Sequence, residues 1–108
     1  MTNLYTVQLG AANGVDGASK LLFHSDPVKV TVLRDLLWMC LAGTGEVFTV
    51  AMSWGPGTYA NLIREVVDAG YTRHLELRQV IPKGTDVMVY PPAGNQSFTI
   101  VATGYLFG

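Results

Sequence analysis

Charge is scarce in this chain. Of its 108 residues, 7 are Lys or Arg and 8 are Asp or Glu, together 14%, against roughly 25% in ordinary soluble domains. The basic residues form no run and the net charge is -1, so the footprint that nucleic-acid binding requires is missing. Cysteine is scarcer: Cys40 stands alone, which excludes an intrachain disulfide and a cysteine-based metal cluster. The longest apolar run, Leu36 to Ala42, has seven residues, far short of the ~20 of a membrane-spanning helix. The opening stretch MTNLYTVQLG lacks the charged and apolar regions of a secretory leader. Synthesis in a reducing host cytoplasm is the expectation, with no membrane and no nucleic acid as partner.

Catalytic and ligand-binding patterns are also missing. The two histidines, His24 and His74, would have to meet carboxylates such as Asp26 or Glu76 to hold a metal; two surface histidines on strands is the simpler reading. Cys40, between Met39 and Leu41, reads as an inert core residue rather than a nucleophile. Ser53 precedes Trp54 and Gly55 without the Gly-x-Ser-x-Gly elbow of a hydrolase. The segment NGVDG, with Asn13 and Asp16, lacks the acidic density of a calcium loop. No nucleophile stands beside a base, so neither catalysis, cofactor nor resident metal is expected.

What the chain does have is alternation. Tyr5, Val7 and Leu9 alternate with Thr6 and Gln8, and short apolar stretches recur between turn clusters. Val28, Val30 and Val32 are placed on one face of a strand. Arg34 and Asp35 then interrupt it as a bulge, before LLWMCLA resumes with apolar residues on both faces. Phe48, Val50 and Met52 alternate with Thr49, Ala51 and Ser53, and Phe98, Ile100 and Ala102 are expected to point inward with Thr99 outward. The segment TYANLIREVVDAG fits both a capped helix and a strand, and its β-branched pair and β-rich neighbours favour the strand. Residues 10 to 20, rich in Gly and Ala, read as a flexible arm or loop. Eight or nine short strands at this spacing predict one all-β domain over residues 1–108, an antiparallel sandwich of jelly-roll or immunoglobulin-like kind.

A domain of this size has too little interior to hide so many apolar residues alone, so part of its surface is expected to be covered by copies of itself. The strand from Leu36 to Leu41 is the clearest sign, because a strand apolar on both faces needs a second cover.

The pattern from residue 21 to 108 resembles the small β-sandwich accessory proteins of tailed bacteriophage virions. The strand pair VKVTVLRDLLWMCLAGTGEVFTVAMS carries the resemblance, followed by Leu75, Leu77, Val80, Ile81, Pro82, Gly84, Thr85 and Val87 to Val89, and by Gly104 in the last strand. The resemblance implies a structural, non-enzymatic role on a virion: a decoration subunit bound to the major capsid protein as a symmetric oligomer such as a trimer, or a tail or neck component. From another class, a carbohydrate-binding sandwich competes, with glycan binding the less favoured reading. Interface candidates are Leu36, Trp38, Trp54, Tyr59, Tyr90, Tyr105 and Phe107. Exposed aromatics at strand ends can anchor a protein contact or stack on a sugar ring, and simple edge-of-core packing is the plain alternative.

Overall fold

The computed structural model describes residues 6–14, 19–40, 44–55, 58–68, 71–91 and 97–107. Eight strands are found among them: β1 (Thr6–Gly14), β2 (Lys20–His24), β3 (Val30–Cys40), β4 (Thr44–Gly55), β5 (Thr58–Asp68), β6 (Tyr71–Ile81), β7 (Asp86–Tyr90) and β8 (Phe98–Phe107). They form two four-stranded antiparallel sheets, with orders β1-β8-β3-β6 and β2-β7-β4-β5. Apart from the β4–β5 hairpin, successive strands alternate between sheets. This is the jelly-roll order of two interlocked Greek keys, which decides between the two sandwich types expected. The segment readable as helix or strand is β5.

The inner faces follow the period of two. Leu36, Trp38 and Cys40 on β3, Phe48, Val50 and Met52 on β4, and Phe98, Ile100 and Ala102 on β8 are all buried. Phe48 ties the sheets together: its ring stacks on Trp38 at 6.1 Å between centroids and meets Phe98 edge-on at 5.5 Å. Such pairs add about 0.5–1.5 kcal/mol beyond area burial.

Several expectations are corrected. Residues 10–14 are not an arm: they belong to β1, paired with β8 from Gly10↔Ala102 to Gly14↔Phe98. Gly10 is needed there because β1 passes close to β2. A Cβ on Gly10 would lie 2.1 Å from the Leu22 carbonyl oxygen, a clash that backbone atoms have little freedom to relieve. At the other end of the supposed arm Lys20 opens β2, and residues 15–18 lie outside the described residues. The strand expected from Val28 also starts later, with Val30 and Val32 sharing the less buried face of β3. Thr31 and Leu33 are buried while Val28 is 75% exposed. The Asp26 carboxylate accepts hydrogen bonds from the Val28 and Lys29 amides at 2.8 and 2.7 Å, holding both in a turn, so β3 begins only at Val30. The bulge at Arg34 is present, as a register shift between Leu33 and Asp35 against both neighbours. It restores inward parity for Leu36.

A turn closes β6 onto β7 at Pro82–Thr85, where Gly84 adopts φ 74°, a left-handed conformation that suits glycine. The Ser25 hydroxyl bridges this turn, donating to the Pro82 carbonyl at 2.8 Å and accepting from the Thr85 amide at 3.0 Å.

Candidate functional site

The jelly roll leaves two outer faces, and each gathers a distinct set of side chains. On the β2-β7-β4-β5 sheet, Thr49 lies between Tyr90 of β7 and Arg64 of β5, Ala51 lies opposite Asn61, and Ser53 opposite Tyr59. A second bulge creates this grouping. Val50 pairs with Ile63 and Ala51 with Asn61, leaving Leu62 as the extra residue. Leu62 and Ile63 therefore both lean to the core, and Arg64 emerges on the same outer face as Asn61 and Tyr59. In an unbroken strand, Arg64 would point the opposite way from Tyr59 and Asn61. Tyr59, Asn61, Arg64, Thr49 and Tyr90 line an open cleft of about 380 Å³. Tyr59 is 63% exposed and Tyr90 38%.

On the β1-β8-β3-β6 sheet, the central outer row runs Ala11, Val101, Leu37, His74 across all four strands. Leu37 and Met39, the outward residues of the doubly apolar strand, are 49% and 42% exposed. Beside them Asp35 pairs with the His74 Nε2 at 2.9 Å and accepts from the Thr103 hydroxyl at 3.4 Å. Asp35, His74 and Glu76 each place a potential ligand atom within 4.8 Å of the others. Arg34, next to Asp35, is turned toward Tyr105, donating to its hydroxyl and lying 5.5 Å from its ring centroid.

The sequence-chosen interface residues separate accordingly. Leu36 and Trp38 are core, with 0% and 1% exposure; they face the opposite sheet and offer no surface, because the bulge at Arg34 sets their parity inward. Trp54, Tyr59 and Tyr90 are exposed, and Tyr59 and Tyr90 share the cleft. Tyr105 is half-buried within β8 and engaged by Arg34. The Phe107 side chain lies outside the described residues. Asn61, Arg64 and Thr49 went unnoticed in the sequence, although the consecutive apolar pair in YANLIRE is the mark of a strand that bulges.

The histidines lie on different sheets, His24 on β2 and His74 on β6. The His24 Nδ1 meets the Asp86 carboxylate at 2.5 Å across the β2–β7 ladder. Cys40 is buried, and burial pushes its thiol pKa up, away from the thiolate a nucleophile needs. The backbone amides of Lys29 and Val28 hold the Asp26 carboxyl below its ordinary value.

No protein-family model and no curated protein matches the chain. Among solved structures, it is similar over 100% of its length, and 92% of the other chain, to one described as "Bacillus endospore appendages form a novel family of disulfide-linked pili", at 12% identity and TM-score 0.55. A likeness at that identity shows the fold. Weaker likenesses are to "Structure of infectious bursal disease virus Gx strain" (13% identity, TM-score 0.45, 98% of this chain and 31% of that one) and to "Crystal structure of PirA" (19% identity, TM-score 0.45, 96% and 92%).

Proposed function

We propose that the chain is a non-enzymatic structural subunit that packs against copies of itself. In the form favoured by its sequence resemblance, it decorates the outside of a bacteriophage capsid as a symmetric oligomer bound to the major capsid protein; a tail or neck position is the alternative. One observation carries the reading: the centre of the β1-β8-β3-β6 outer face is apolar. Leu37 and Met39 stand about half exposed there, on a central strand where solvent-facing positions are ordinarily polar. The rim holds both signs of charge, with Glu76 and Arg78 exposed on β6. A face apolar in the middle and mixed in charge around it suits a second copy of itself, since a two-fold contact sets the same row against its mate. The jelly roll agrees with this use, being common in viral capsid domains, though a fold by itself assigns no function.

Sedimentation equilibrium tests the proposal. The chain is expected to associate at high micromolar concentration, and Leu37→Glu is expected to sediment as a monomer with its fold intact. Co-sedimentation with phage capsids stripped of accessory proteins then tests the position on the particle. A wild-type chain that stays monomeric and leaves such capsids and tails unbound would overturn the proposal.

A further inference from the structure

The cleft on the opposite sheet takes no part in that packing. We propose that it binds an acidic sugar unit of a glycan, the carboxylate held by Arg64 and the ring lying against Tyr59 and Tyr90. The proposal goes beyond the structural role and does not depend on it.

Three features converge. First, Tyr59 and Tyr90 are exposed on the same cleft, and a tyrosine offers an apolar ring face with a hydroxyl at its tip, matching the C–H face and hydroxyl rim of a sugar. Second, Arg64 is exposed on the cleft and forms no ion pair with any described residue, whereas Arg73 of β6 pairs with Glu65 at 3.4 Å. A guanidinium free of an acid partner presents its planar fork to a carboxylate. Third, Asn61 and Thr49 add an amide and a hydroxyl that both donate and accept, as a polyhydroxylated ligand requires. Opposite Asn61 stands only the methyl group of Ala51, which is buried. The volume of about 380 Å³ sits at the small end of the roughly 300–1,000 Å³ of ligand clefts.

The bulge at Leu62 is the structural device behind this. It brings Arg64 onto the outer face that carries Tyr59 and Asn61, so that cation and aromatic rings line one cleft across β7, β4 and β5. Single-stranded nucleic acid also stacks on aromatic rings, but it wants a cationic groove that tracks its backbone. Among the described lining residues Arg64 is the one cation.

The test uses the whole chain on an array of uronate-containing, sialylated and neutral glycans, followed by titration calorimetry with the best acidic trisaccharide and its neutral counterpart. Acidic members are expected to bind, and the neutral counterpart about tenfold more weakly, the scale of one lost polar contact. Tyr59→Ala and Arg64→Ala should each weaken binding by about tenfold or more, while Arg64→Lys keeps part of it. Both side chains are exposed, so the urea midpoints should stay at the wild-type value, which separates loss of binding from loss of fold. Absence of any acidic hit, equal binding of the neutral glycan, binding untouched by Tyr59→Ala and Arg64→Ala, or tighter binding of a thymidine oligonucleotide would each overturn the proposal. A chain that stays monomeric, leaves capsids and tails unbound and still binds the acidic glycan would defeat the assembly reading and leave this one standing.

Discussion

Replacing Ile100 by Ala empties a site at the centre of the sandwich. Ile100 has 0% exposure and is flanked in its sheet by Ala12 of β1 and Trp38 of β3. The substitution removes three carbons, and at about 0.8 kcal/mol per buried methylene the transfer loss alone is ~2.4 kcal/mol. Two sheets pinned by the Trp38, Phe48 and Phe98 rings have little freedom to close over the gap, so a cavity contribution brings the loss to about 3–4 kcal/mol, inside the usual 2–5 range. Thr99, next in the chain, is exposed on the outer face, and Thr99→Ala should cost less than ~0.5 kcal/mol. Urea titrations read the difference directly: with a slope of about 1–3 kcal/mol per molar, the Ile100→Ala midpoint should fall by at least ~1 M, and that of Thr99→Ala hardly at all. Strand parity makes the comparison decisive, because a slip of one residue exchanges the two positions. A Thr99→Ala loss equal to or larger than that of Ile100→Ala would refute the register of β8.

Gly84→Ala should destabilise the chain by about 1–2 kcal/mol through its left-handed backbone, read as a lowered urea midpoint. Gly10→Ala should be worse than an ordinary strand substitution, because the new methyl group meets the Leu22 carbonyl; thermal unfolding followed by circular dichroism checks it. The depressed Asp26 carboxyl contributes stability that is present above its unfolded pKa near 4 and is lost as pH falls through the lower folded value. Asp26→Asn should therefore flatten the pH dependence of stability in that acid window. Cys40 behaves oppositely: its raised thiol pKa means stability declines as pH rises above the unfolded value near 8.5, and its reaction with a disulfide reagent should be slow in the folded chain and fast in urea.

Much of this architecture is legible in the residues, and the failures have identifiable causes. The strict alternation around Phe48 and Ile100, and the charged pair Arg34–Asp35 breaking an apolar strand, report burial and a bulge directly. Residues 10–14 are unreadable as a strand because they carry little apolar alternation, Gly10 serving there for the close approach of β2, and small residues look alike in a tight crossing and in a loop. The valine triplet from Val28 misled for another reason: a side-chain-capped turn at Asp26 decides where the ladder starts, and periodicity is blind to that. The cleft depended on long-range placement. Tyr59 and Tyr90 were visible as candidates, but Thr49, Asn61 and Arg64 join them only through cross-strand pairing and a bulge opposite Val50.

The pairing of the first strand with the last has a mechanical consequence. Thr6 lies opposite Tyr105 and Gly14 opposite Phe98, so β1 enters beside the point where β8 leaves. A load pulling the chain apart at these two ends acts on one pair of residues at a time and opens the ladder like a zipper. A load delivered through the sheet faces is spread over many strands at once, none of them peeled from its end. A subunit of this design therefore holds best when gripped by its faces and worst when pulled by the ends of these two strands.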